Sequence, residues 1–183
     1  MRKILASILM IILLVMTGCN GEKKVEDIKF SKNILLSINN GAPGFGSIED
    51  CIDAEIIIYT NRIVCVVAFY PVETEIASWE MSEEDYEKLQ EIAIPEQISK
   101  LKVENDEDVC DGSSCHISLY GEQDERIFYK GGYMPVGKEF WEIYNGIKEI
   151  LEPYDINGMV EEYRESVRSG IVYDSSTVRK ADI

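Results

Sequence analysis

The chain has 183 residues, 45% of them hydrophobic and 28% charged, which is the composition of one globular domain with short appendages. It excludes a wholly disordered chain, a collagen and a polytopic membrane protein. Eighteen basic against 34 acidic residues give a net charge of -16, which argues against a nucleic-acid partner, and a single histidine excludes a multi-histidine metal site within one subunit.

The chain opens on the basic stretch Met1-Arg2-Lys3, followed by an apolar run from Ile4 to Met16 broken only by Ser7. A spanning helix needs about 20 residues, so this shorter run reads as a secretory signal. It leads into Leu14-Val15-Met16-Thr17-Gly18-Cys19-Asn20-Gly21. An apolar residue three before a cysteine, then two small residues, then Cys19, resembles the lipobox of bacterial lipoproteins. The resemblance implies that Cys19 is thioether-linked to diacylglycerol and becomes the new N-terminus. Residues 1–18 would then be the signal peptide and 19–28 the lipidated cysteine with a polar spacer. Burial at ~0.8 kcal/mol per CH₂ makes two or more acyl chains a stable anchor. The alternative is an uncleaved N-terminal anchor with an incidental cysteine. Cleavage removes Arg2 and Lys3 and no acid, taking the net charge from -16 to -18. An anionic membrane surface repels such a chain, so the tether must hold it.

Ile34–Ile38 reads as a strand ended by Asn39-Asn40-Gly41, and Gly41–Gly46 as a loop. The strongest signal is Ala54–Thr60 with Ile63–Tyr70, two β-branched and aromatic runs separated by Asn61-Arg62. Asn61 can supply the positive φ of a tight hairpin turn. Neither run alternates cleanly, which suggests central strands, with Ile57 and Val67 as core positions. Ser82 is an N-cap followed by three acidic residues, and Tyr86, Leu89 and Ala93 share a helix face. Pro95 ends that helix and opens a short one bearing Ile98 and Leu101. Val103–Ser114 reads as an acidic loop. Cys115–Tyr120 alternates with Ile117 and Leu119 inward, and Arg126–Lys130 returns as a second hairpin. Gly131–Pro135 reads as a loop. Lys138–Leu151 is an amphipathic helix with Phe140, Ile143, Tyr144, Ile147, Ile150 and Leu151 on one face, and Pro153 ends it. A last amphipathic segment carries Met159, Val160, Tyr163 and Val167, with Gly170 as its cap.

This order predicts a two-layer α+β fold, with one antiparallel sheet of four to five strands built from two hairpins and helices packed on one face. The domain is expected over 29–153, with a C-terminal helix and loose tail over 154–183.

Four cysteines remain beyond Cys19. Cys110 and Cys115 enclose Asp111-Gly112-Ser113-Ser114, a stretch that can turn sharply, and are candidates for a disulfide on an exported chain. Cys51 and Cys65 are a weaker pair, since Cys65 in mid-strand reads equally as a small core residue. A zinc site at Cys110, Cys115 and His116 meets a geometric objection, because adjacent strand residues point to opposite faces. The same objection applies to a Cys–His nucleophile pair, and His116 is expected as an exposed strand residue. The acidic loop does not fit a calcium-loop register from Asp106, and the glycine loop at 41–46 lacks a phosphate-binding lysine and helix. No metal and no cofactor is expected. Tyr133, Met134 and Trp141 are a candidate contact surface, against the reading in which they cap the core.

The domain also resembles small lipoproteins of unknown function from low-GC Gram-positive bacteria. The match lies in Asp111-Gly112, Ser118-Leu119-Tyr120, Gly131-Gly132-Tyr133-Met134-Pro135, and a helix with Phe140, Ile143 and Ile147; it implies no activity. The expected function is a membrane-anchored, extracytoplasmic, non-catalytic binding or accessory module. Its expected partners are the lipid bilayer, through acylated Cys19, and a protein at the cell surface. An envelope-associated hydrolase and a structural envelope protein are the alternatives.

Overall fold

A computed structural model describes residues 28–39, 53–69, 72–106 and 112–170. The architecture is α+β. Strands β1 (Ile34–Asn39), β2 (Asp53–Tyr59), β3 (Arg62–Phe69), β4 (Val72–Glu80), β6 (Ser114–Tyr120) and β7 (Arg126–Tyr133) form one antiparallel sheet in the order β4-β3-β2-β1-β6-β7. The sheet therefore has six strands rather than four to five. A further two-stranded sheet joins β5 (Glu104–Asn105) to β8 (Pro135–Val136). The helices are α1 (Glu83–Ile92), α2 (Pro95–Ile98), α3 (Lys138–Leu151) and α4 (Ile156–Arg168), with a 3-10 turn at Glu152–Tyr154 between the last two.

The two hairpins join through β1, which pairs with β2 on one side and β6 on the other. Ile38 stands opposite both Ile56 and Ile117, and Ile56 opposite Cys65. Strand residues alternate between faces, so Leu36, Ile38, Ile56, Ile58, Ile63 and Leu119 fall on one face, all essentially without exposure. Phe140, Tyr144, Ile147 and Leu151 of α3 join the same core, as do Leu89, Ile98 and, from α4, Ile156, Val160 and Tyr163. The last helix thus belongs to the core that the strands build. In α3, Gly146 admits α1 closely: a Cβ there would stand 3.1 Å from Ile92 Cδ1.

Several local expectations hold. The Ser82 side chain accepts from the Asp85 N–H at 3.1 Å, with Glu83, Glu84 and Asp85 in the first turn. Helix α3 runs from Lys138 to Leu151, as its periodicity indicates. Gly170 follows α4 at φ 67, the left-handed conformation of a terminating glycine.

Others are corrected. The β2–β3 turn uses no positive φ at Asn61. Its last pair is Ile58 with Ile63, so four residues close it, and a loop of that length is most often built around a type I turn. Val67 is fully buried in the core, but Ile57 lies half-buried on the other face, because its neighbours Ile56 and Ile58 take the core positions. Residues 131–133 continue β7 instead of looping. Gly131 permits this: at φ 133, a Cβ would lie 2.1 Å from the Cys115 carbonyl oxygen on β6. Glu104–Asn105 is a short strand within the expected acidic loop, held by Pro135–Val136. Strand β4 is an additional element, an edge strand carrying Glu73, Glu75 and Glu80.

Candidate functional site

Two places stand out among the described residues. The first is the sheet face opposite the core. Ser37, Glu55, Tyr120 and Arg126 come from four different strands, β1, β2, β6 and β7. Ser37 Oγ donates to Glu55 Oε1 at 2.5 Å and lies 2.9 Å from the Tyr120 hydroxyl. The Tyr120 hydroxyl donates to the same oxygen at 3.3 Å, and Arg126 Nη2 pairs with it as well. One carboxylate oxygen therefore accepts from three donors. That occupancy suits a strand-to-strand clamp better than a general base, which needs a free lone pair aimed at substrate. Burial raises the Tyr120 hydroxyl pKa above its ordinary value.

Beside this clamp lies the only histidine. His116 is not exposed, as its sequence context suggests, but half-buried on β6, its ring stacked on Tyr129 with centroids 4.6 Å apart. Gly131 is its cross-strand partner, where a Cβ would stand 2.7 Å from the His116 Cα. Its ring nitrogens are buried and lack a hydrogen-bond partner among the described residues, as does Ser118 Oγ on the same face. Burial pushes the imidazole pKa down to about 4, so the ring is neutral at neutral pH. The His116 N–H donates to Asn39 Oδ1 at 2.6 Å, and Asn39 Nδ2 reaches the Ser114 carbonyl at 2.5 Å and Asp53 Oδ2 at 3.4 Å. Burial raises the Asp53 pKa. Ser118 and His116 share a face of one strand without bonding to each other, so they form no nucleophile–base pair in this geometry.

The second place is an open cleft of about 380 Å³ where the start of β1, the β2–β3 turn and the α1–α2 junction meet. Ser31 and Lys32 form its rim, with Leu35, Ala93, Ile94 and Pro95 as apolar wall. Tyr86 and Gln90, one helical turn apart on α1, add a hydroxyl and an amide. Its volume is in the range of small-molecule sites.

Cys115 and Cys65 are buried thiols on the core face, and burial pushes Cys65 up to about 12. Cys110 and Cys51, their proposed partners, lie outside the described residues, as does Cys19. Cys115 and His116 do face opposite sides of β6. Among the described residues no three His, Cys, Asp or Glu side chains gather as metal ligands. Tyr133, Met134 and Trp141 are all half-buried. The Tyr133 hydroxyl accepts from the Gly112 N–H at 2.6 Å, and Trp141 Nε1 donates to the Pro135 carbonyl at 2.8 Å. The large apolar side chains that stand exposed nearby are Tyr129 and Val136, each about half accessible.

No reading of the sequence alone picked out Ser37, Glu55, Tyr120, Arg126 or the cleft. The available signal was polar residues set inside apolar strands, Ser37 in Leu35-Leu36-Ser37-Ile38 and Glu55 in Ala54-Glu55-Ile56. Among the described residues no helix is long and apolar enough to cross a membrane. No family model, curated protein or solved structure matches the chain.

Proposed function

We propose that this chain is a lipid-anchored, extracytoplasmic, non-catalytic binding module. Acylated Cys19 holds it to the bilayer, and the cleft beside Lys32 receives its ligand. The observation that carries the reading is the cleft itself: a concave site of small-molecule size with mixed polar and apolar walls. Lys32 follows Cys19 by thirteen residues, a reach of at most about 45 Å of extended chain. The three-donor occupancy of Glu55 supports binding over hydrolysis, since it leaves that carboxylate committed to the fold.

Two measurements test this. Intact mass of the membrane-extracted protein should begin at Cys19 with added acyl mass, and Cys19→Ala should release the chain to the soluble fraction. A Cys19→Ala protein that stays uncleaved and equally membrane-bound removes the anchor. For the cleft, Gln90→Trp places an indole at its mouth and should weaken small-molecule binding without lowering thermal stability.

A further inference from the structure

Among the described residues, the wall of the cleft holds one charge, Lys32, and no carboxylate. Lys32 has no ionic partner among the described residues, whereas Lys29 nearby is paired with Glu122 at 3.4 Å. The apolar part of the wall lies next to that cation. Leu35 is the residue passed over in the β1–β2 register between Ile34 and Leu36, and Ile94 and Pro95 begin the turn into α2.

Charge and shape together decide the ligand class. The net charge of -16 repels anions at long range, but at physiological salt that field decays over about 8 Å. Among the described wall residues Lys32 is the one charge; the Asp124 carboxylate, outside the wall, is already engaged by Ser31 Oγ and by Asn33 Nδ2 at 3.0 Å. A cationic ligand would find no counter-charge among the described wall residues, and a neutral apolar one would leave Lys32 unanswered. We infer that the cleft receives a small amphipathic anion, its carboxylate or comparable head at Lys32 and its apolar body against Leu35, Ile94 and Pro95. This inference rests on the binding-module reading and specifies what that module takes.

Three fluorinated probes of one shape separate the possibilities: trifluorohexanoate, trifluorohexanol and trifluorohexylammonium. Each is titrated against the full chain in phosphatidylcholine nanodiscs, with empty nanodiscs as blank, and binding is read from fluorine NMR line broadening. The acid should bind, the alcohol at least threefold more weakly, and the ammonium not detectably. An exposed ion pair is modest in strength, so Lys32→Gln should weaken acid binding roughly two- to fivefold. Lys32→Glu should reverse the order and admit the ammonium. Lys100→Glu makes the same change of net charge away from the cleft wall and should leave the acid affinity unchanged.

If acid and alcohol bind equally and Lys32→Glu changes neither, the anion inference falls and the cleft stands as a binding site. If none of the three binds, or if Gln90→Trp leaves binding intact, the cleft reading falls with it. Equal loss in Lys32→Glu and Lys100→Glu also overturns the inference, because net charge would then explain it.

Discussion

The two faces of the six-stranded sheet both bury side chains, yet those side chains differ in kind. On the helix side Leu36, Ile38, Ile56, Ile117 and Leu119 are essentially unexposed. On the other side Ser37, Asn39 and Ser118 are just as fully buried. Apolar burial stabilises at roughly 25 cal/mol per Å², without regard to direction. Burying a hydroxyl or an amide costs free energy unless its hydrogen bonds are remade. The helix side therefore supplies most of the driving force. The polar side sets geometry, since Glu55 meets its three donors only when β1, β2, β6 and β7 are in register. A slip of one residue would turn Ser37 and Ser118 into the apolar core.

The largest test sets one isoleucine from each face against the other. Ile38→Ala opens a cavity in the core and should cost about 2–5 kcal/mol. Ile57→Ala, from a half-buried position, should cost about half as much or less, because less area returns to water. Urea unfolding of both variants measures the difference, and equal losses would break the assignment of faces.

Gly131→Ala comes next. The new methyl would meet the Cys115 carbonyl at 2.1 Å in a backbone conformation that disfavours L side chains. A loss of about 2–3 kcal/mol is expected, with shifts at His116, its cross-strand partner. A neutral result would mean that β6 and β7 do not approach each other so closely.

The third test is pH. His116 has a folded pKa of about 4 against an ordinary 6.5, because burial disfavours the imidazolium. The unfolded chain therefore takes the proton first. Stability from this group is complete above pH 6.5, falls as pH drops toward 4 and then levels. The loss is on the order of 2 kcal/mol, after allowance for partial solvent access. Glu55 and Arg126 are the charges acting on the ring, and Asp53, whose raised pKa acts in the opposite sense, offsets part of the loss at the acid end. His116→Phe keeps a ring against Tyr129 and should flatten stability between pH 6.5 and 4. An unchanged slope would assign the acid sensitivity elsewhere.

The face that is easy to read in the sequence is the one that obeys local periodicity. The alternation of Ile117 and Leu119, the Ser82 cap and the face of α3 from Phe140 to Leu151 all depend on neighbours a few residues apart. Strand β4 was not visible, because Glu73, Glu75 and Glu80 break the apolar run on an edge where charge is tolerated. Gly131 and Gly132 resemble loop residues until β6 lies beside them. The polar clamp was hidden for another reason: Ser37 and Tyr120 are 83 residues apart, and only the pairing of β1 with β6 brings them to 2.9 Å. The cleft has the same origin, since its walls come from a strand start, a hairpin turn and a helix junction.

The smallest effect is the most informative about the polar face. Arg126 and Glu55 have side chains 43% and 28% exposed, so their attraction is partly screened. An isolated surface pair of this kind contributes about 0–1 kcal/mol, whereas a charged hydrogen bond within a partly buried network contributes about 1.5–3. A double-mutant cycle with Glu55→Gln and Arg126→Met should return a coupling of about 1 kcal/mol. Adding Ser37→Ala should reduce that coupling, because Glu55 Oε1 loses the hydroxyl that holds it in place at 2.5 Å. A coupling that stays constant without Ser37 would mean two independent contacts on one carboxylate. A coupling near zero would reduce the pair to a surface contact and leave the register to the aliphatic core alone.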